Sequence, residues 1–426
     1  MEIGRKILSI CLALVAGTII VAASTGVATA QERPLCGLGT GQPATGEPIL
    51  VGAIVGETGP DDFSSPADTA KAYFDCVNQN GGINGRPIEY IVEDDQWNPE
   101  VAAQAAAKLV KDIGVVALVG NGSFVEMTVN AATYEAENVL VVASACAVRE
   151  CFEARNIAST NQGPLPSALG AVQWAVRNLG TKSVACIALN IPSNGGWTCD
   201  AVNTWLEQNG LEGTAVLLNP AAPDLTSIIL EAVASGADTM LTMLPAGAAI
   251  GILKTAEEQD LRDDYNWISP TPLYDESVPA ALGDYWDGVV YIQAELARFE
   301  SNRRDAKRWR KVMEDYARPE DPRDTFSQAG FLSANIFVDT LLEMDPASIS
   351  RETVTVALRA VTNYQSDLMC GPWYFGEADR HMPNHAGIMV RVVDGGFETL
   401  QGCFEVESSY LEPILAIEKE LGIGAN

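Results

Sequence analysis

Short, uninterrupted apolar runs alternate with stretches of helical spacing from residue 49 to residue 269, and few folds can bury strands of that kind. The pattern predicts strands over 49–55, 88–92, 115–119 and 139–143, separated by helices over 66–78, 101–111 and 126–137. Asn80-Gly81-Gly82 stops the first helix and Asn98-Pro99 starts the second. A strand that is apolar along its whole length has both faces buried, which implies a parallel sheet covered by helices on each side. The rhythm then restarts, with helices over 166–179, 199–209, 225–235 and 248–259 and strands over 183–189, 213–218, 239–243 and 267–269. Two such arrays in tandem predict an α/β chain of two doubly wound parallel-sheet lobes. After residue 289 come a strand, long helices over 303–316 and 327–342, and hairpin-like segments near Trp373 and 387–393. That is too little for a third domain. The chain is therefore expected to cross back and complete both lobes, with the crossovers acting as a hinge. The expected partition is 49–164 plus 291–368 for one lobe and 165–290 plus 369–404 for the other, with an arm over 31–48 and a tail over 405–426.

The N-terminus has the order of a secretory signal: Arg5 and Lys6, an apolar run over 7–23, then Ala28-Thr29-Ala30 before Gln31. An uncleaved anchor is the competing reading, since the run approaches the roughly 17 residues of a minimal span. Thr18, Ser24 and Thr25 argue against it, and Cys11 and Leu35-Cys36 are poorly placed for a lipoprotein. Residues 1–30 are thus expected to be removed, leaving 426 − 30 = 396 residues in a periplasmic or secreted setting, with no membrane insertion afterwards. The signal holds Arg5, Lys6 and Glu2, so the remaining charge is (27 − 2) − (56 − 1) = −30. Such a chain repels nucleic acid and anionic lipid. Eight cysteines remain: Cys36, Cys76, Cys146, Cys151, Cys186, Cys199, Cys370 and Cys403. An even count in an oxidising compartment favours disulfides. Eight thiols allow 105 connectivities; closeness in the chain favours Cys146–Cys151, Cys186–Cys199 and Cys370–Cys403, which leaves Cys36–Cys76.

Catalytic patterns are sparse. His381 and His385 have the spacing of a helical zinc pair, but Pro383 lies between them and the glutamate of H-E-x-x-H is missing. Asn121-Gly122-Ser123-Phe124-Val125 sits between strand and helix like a nucleophile elbow, yet both outer glycines are absent. Gly37-Leu38-Gly39-Thr40-Gly41 precedes the first strand, whereas a dinucleotide loop follows one. No cofactor, metal or enzymatic activity is expected. The promising segments are loops at the carboxyl ends of parallel strands, where open α/β sheets bind ligands: 56–66, 120–124 and 144–147. The second of these would offer backbone N–H groups at a helix N-terminus to a carboxylate.

Thr58-Gly59-Pro60, the segment from Asn78 through Asn80-Gly81-Gly82-Ile83-Asn84-Gly85 to Ile88, Glu93-Asp94-Asp95 with Asn98-Pro99, Leu118-Val119-Gly120 before Ser123, and Gly371-Pro372-Trp373 with Phe375 together resemble the branched-chain amino-acid/amide group of periplasmic substrate-binding proteins. The resemblance runs from residue 49 to about residue 404. It implies a two-lobed, hinged, monomeric binding protein that delivers a small solute to ABC permease subunits. A ligand sensor feeding a regulator or receptor is the alternative, and a secreted hydrolase a third class. It also implies that Phe63 or Ser64, Ser123 and Phe124, and Ala145, Cys146 and Ala147 contribute from one lobe. Asn194, Gly195, Pro245 and Thr271 would contribute from the other. Trp197, Tyr274 and Phe326 are candidate aromatic walls. The acid that would hold an amino acid's ammonium is expected near Thr271, and none stands there; Asp61, Asp62 or Asp275 are the candidates to replace it. The expected solute is therefore an amino-acid-like, amide or carboxylate compound, with the lost acid arguing against a free α-amino group.

Overall fold

The apolar runs form strands because β-branched and other apolar side chains fill a sheet covered on both faces. The computed structural model describes residues 33–423; the expected signal segment lies outside the described residues. Ile49–Val55 (β1) is followed by Ser65–Gln79 (α1), Ile88–Asp94 (β2) and Pro99–Ala107 (α2), the last continued by a π-turn segment. Leu118–Val119 (β3), Gly122–Ser123 (β4), Glu126–Ala136 (α3), Val141–Ala143 (β5), Ala145–Cys146 (β6), Glu150–Glu153 (α4) and Ile157–Ser159 (β7) complete the first array. All its pairings are parallel: β1 lies between β2 and the β3/β4 pair, β3 and β4 pair with β5 and β6, and β5 pairs with β7.

The second array runs Pro164–Asn178 (α5), Ser183–Leu189 (β8), Trp197–Gln208 (α6), Glu212–Leu218 (β9), Leu225–Ala234 (α7), Thr239–Met243 (β10), Ala246–Glu258 (α8), Asn266–Ser269 (β11), Val278–Leu282 (α9) and Val290–Ala294 (β12). Its strand order, β9-β8-β10-β11-β12, repeats the first sheet's logic and is parallel. Arg304–Asp315 (α10) and Thr325–Leu342 (α11) then pack on α1, and Arg351–Arg359 (α12) on α11, so all three belong with the first sheet. The chain returns as an antiparallel hairpin, Ala386–Val393 (β13) and Gly396–Glu405 (β14), on the edge of β12. Glu412–Leu421 (α13) follows. The chain thus crosses between lobes after β7, after β12 and before β13. The first return falls later than the sequence partition placed it: residues 291–294 pair with β11 and β13 in the second sheet, because the apolar run that begins the return is still a strand of that sheet.

The Asn-Gly-Gly-Ile-Asn-Gly turn is structural. Asn78 clamps the end of α1 to β2, donating to the Ile88 carbonyl at 2.8 Å and accepting from its N–H at 2.7 Å. The arm is fastened over this turn, with Ala44 N–H donating to Asn78 O at 2.8 Å and Cys36 bonded to Cys76. The three cysteine pairs favoured by proximity form, and so does the remaining pair, Cys36–Cys76.

Candidate functional site

The first lobe's central strands are interrupted. At Gly120 the backbone enters the left-handed region (φ +87°), and a β-carbon there would stand 3.0 Å from the Tyr90 hydroxyl and 3.2 Å from Ala70. Only glycine fits such a turn without strain. The chain resumes one step further along as β4, and Asn121 O takes the N–H groups of Ser144 and Ala145, so the neighbouring strand breaks at the same level and resumes as β6. This offset projects Phe124, Ala145, Cys146 and Ala147 toward the second lobe, where they line a tight cavity of about 40 Å³.

The cavity lies between loops at the carboxyl ends of both sheets. Phe63 and Phe326 add to the first-lobe wall; Asn194, Pro245 and Thr271 come from the second. The aromatics pack among themselves: Trp97 stacks on Phe124 at 4.6 Å, and Phe63 meets Phe124 edge-on at 5.0 Å and Phe326 at 5.5 Å. The lobes are closed on one another. Asn194 Nδ2 donates to Ala147 O at 2.5 Å, Arg149 N–H to Ser193 O at 2.8 Å and Thr325 N–H to Tyr274 O at 3.3 Å. Asp61, whose carboxyl is raised by burial, faces Gly247 in the first turn of α8.

Three expected residues stand elsewhere. Ser123 is a helix cap: its Oγ donates to Asp95 and accepts the N–H groups of Val125 and Glu126, each at 3.0 Å. Two of the backbone donors at this helix start, those of Val125 and Glu126, are thereby used. Ser64 does not line the cavity; its hydroxyl donates to Asp68 at 3.0 Å. Gly195 is also outside the lining, pressed so closely under Leu189 that a β-carbon would meet that carbonyl at 2.0 Å. Of the candidate walls, Phe326 faces the cavity, while Tyr274 stacks on Phe299 at 4.2 Å and Trp197 packs on Phe152 and Tyr410.

The reading from sequence missed Glu295. It follows β12 where the chain crosses back, is 1 % exposed, and lines the cavity. Its carboxyl accepts the Gln162 N–H at 2.7 Å and the Thr325 hydroxyl at 3.4 Å. Among the described residues no lysine, arginine or histidine is paired with it, and burial raises it to about 8. The acid at the cavity is thus Glu295, and none of Asp61, Asp62 or Asp275 lines it. No local signal pointed to Glu295, because it reaches the cavity through a contact 133 residues away in the chain. Behind the aromatic wall, burial also raises Glu126 to about 8 and Asp95 to about 6. Glu126 takes the Tyr134 hydroxyl. The two histidines lie away from Ser123, His381 beside Ala154 O at 3.3 Å and His385 beside Glu418 at 3.1 Å.

The sequence model of the periplasmic binding protein family matches residues 48–396. This chain belongs to that family. Its two lobes have the type I periplasmic binding protein fold, seen in a branched-chain amino acid ABC transporter protein from Thermus thermophilus with bound valine. That structure is 15% identical, with a TM-score of 0.76, covering 87% of this chain and 99% of that one. A solute-binding protein from R. palustris in complex with 4-hydroxybenzoate is 19% identical, with a TM-score of 0.73, covering 86% of this chain and 100% of its own. Identities this low speak to fold alone. The chemotactic signal transduction system substrate-binding protein BasB of Halobacterium salinarum is 35% identical over 79 residues, or 18% of this chain and 19% of that protein. Members of the family are extracytoplasmic binding proteins. Among the described residues of this binding protein no helix is long and apolar enough to cross a membrane.

Proposed function

We propose that this chain is the periplasmic or secreted solute-binding component of an ABC importer. In this reading it captures a small amino-acid-like solute between its lobes, hands it to the permease, and performs no catalysis. The observation that carries the reading is the closed cavity between the two sheets, with an aromatic wall on one side and the buried carboxyl of Glu295, which lacks a cationic partner among the described residues, on another. A buried carboxyl stays protonated unless a cation joins it. A protonated amine on the solute would supply that cation and displace the proton, while the apolar body lies against Phe63, Phe124 and Phe326.

The test is native mass spectrometry of the freshly purified protein to identify the retained solute, followed by its affinity as a function of pH. Free Glu295 is raised to about 8. If binding needs it ionised, affinity rises with pH and levels off above about 8, and Glu295→Gln removes the dependence. A carboxylate or amide solute that accepts a hydrogen bond from protonated Glu295 gives the opposite slope, with affinity lost as pH rises through about 8. No retained solute, and no thermal stabilisation by any amine, amino acid, amide or carboxylic acid screened, would sink both versions.

The similarity to the chemotactic relative favours a second reading, a ligand sensor using the same clamp. Deleting the gene separates the two: loss of uptake marks an importer, and loss of taxis with uptake intact marks a sensor.

A further inference from the structure

Three of the four disulfides are sealed in the core, with Cys36, Cys76, Cys146, Cys151, Cys186 and Cys199 each at most 2 % exposed. Cys370–Cys403 differs: Cys403 is exposed, Cys370 half-buried, and the bond borders an open hollow of about 570 Å³. Its place in the topology also differs. Cys370 lies in a loop closed at its base by Tyr364 and Trp373, whose N–H and carbonyl groups exchange hydrogen bonds at 2.7 and 2.9 Å. That loop is rooted in the first lobe. Asp367 accepts the N–H groups of Arg304 and Asp305 at the start of α10, both at 2.9 Å, and the Trp373 indole donates to Ser159 O at the end of β7. Cys403 belongs to β14, the outermost strand of the second sheet. The bond therefore joins the lobes independently of the three chain crossings. It also sits at the pivot, since the Ala297 N–H in the second crossing donates to Leu368 O at 2.8 Å, two residues from Cys370.

We propose that Cys370–Cys403 is a thiol-exchange site that governs how freely the hinge moves, a property separate from solute capture. A thiolate of a dithiol reductant attacks the exposed Cys403 Sγ, and Cys370 leaves as a thiolate that takes a proton from water. The reductant's second thiol then attacks its own sulfur in the mixed disulfide and releases Cys403. Two electrons and two protons pass to the protein, and the dithiol ends as a disulfide. Cutting the tie returns conformational freedom chiefly to the less ordered, open arrangement, so the crossings loosen while the lobe interiors do not.

The first experiment treats the folded full-length protein with dithiothreitol at low concentration, quenches with iodoacetamide, and maps the alkylated peptides. Cys370 and Cys403 are expected to label well before the other six; simultaneous labelling of several pairs, or resistance of this one, overturns the proposal. The second follows amide hydrogen exchange in the reduced wild type and in the Cys370→Ala/Cys403→Ala double variant. Exchange at Ala297 should accelerate roughly tenfold while β8 and β10 stay unchanged. Unchanged exchange at the crossings, or acceleration spread evenly over both lobes, overturns the hinge role. The reduced wild type carries this measurement even if the double variant fails to fold.

Discussion

The two lobes share a strand order but not a strand quality. β8 and β9 run unbroken for seven residues each in even parallel register. In the first sheet only β1 and β2 match them, while β3, β4 and β6 have two residues each and β5 and β7 three. The breaks between β3 and β4 and between β5 and β6 arise from the turns at Gly120 and Ser144, and the same turns carry Phe124, Ala145, Cys146 and Ala147 to the cavity. Regular pairing spends every backbone group on the neighbouring strand, so it stabilises a sheet but leaves nothing to aim at a ligand. The first lobe gives up regularity to build the aromatic side of the wall. The second is a firmer body that closes on it with Asn194, Pro245 and Thr271. The lesson is that irregular strand ends, more than the sheet itself, identify the recognising lobe.

The largest effect expected from this contrast is on the aromatic wall. Phe124→Ala removes a ring packed on both Trp97 and Phe63 and should cost about 3 kcal/mol or more in urea unfolding. Met243→Ala, on the cavity side of the second lobe, should cost about 2 kcal/mol, since a flexible thioether leaves a gap its neighbours fill more easily. Equal costs would break the contrast.

Acid titration sharpens it next. Asp95 and Glu126 in the first lobe, Asp324 at the start of α11 and Glu295 at the crossing are raised by burial to about 6, 8, 7 and 8. Each binds a proton in the folded state at pH values where the unfolded chain has released it. Their contribution is complete below about pH 4 and is lost as pH rises through the folded values. The unfolding temperature should therefore fall between pH 5 and 8, and Glu126→Gln should flatten the upper part of that fall. A melting temperature that climbs over this interval would contradict the assignment.

Ser123→Ala is expected to cost about 2 kcal/mol, because it uncaps α3 and takes a donor from buried Asp95. Affinity for the retained solute should stay within about twofold, as expected of a change outside the contact surface. A large affinity loss with unchanged stability would return Ser123 to the ligand site. The smallest effect concerns closure. Asp61→Asn replaces a charge at the N-terminus of α8 and should weaken solute binding roughly fivefold, about 1 kcal/mol, with little change in unfolding.

Much of this was legible in the order of residues. The apolar runs and their helical spacers placed β1, β8 and β10 and predicted the doubling of the lobe, because a periodicity of two or 3.6 is a local property. The disulfides were legible for a related reason, since the nearest cysteines in a chain have the least entropy to lose on meeting. β4, β6 and β7 were not, being two or three residues long and defined by hydrogen bonds to partners far away in the chain. The site divided along the same line. Phe63, Phe124, Ala145, Cys146, Ala147, Asn194, Pro245 and Thr271 were reached through loops that follow predictable strands, and all border the cavity. Ser64, Ser123 and Gly195 lie on the same loops, yet each turns to a local partner instead.

By itself, then, the sequence determined what depends on neighbours a few residues apart: strands, helices, their alternation and the doubling into two lobes. Only the tertiary structure decided which side chains share the cavity. Glu295 faces it because a chain crossing sets it beside Gln162, and Cys370–Cys403 spans the hinge because a first-lobe loop reaches the edge strand of the second sheet. Both depend on where distant segments are brought together by packing, and no local pattern encodes that.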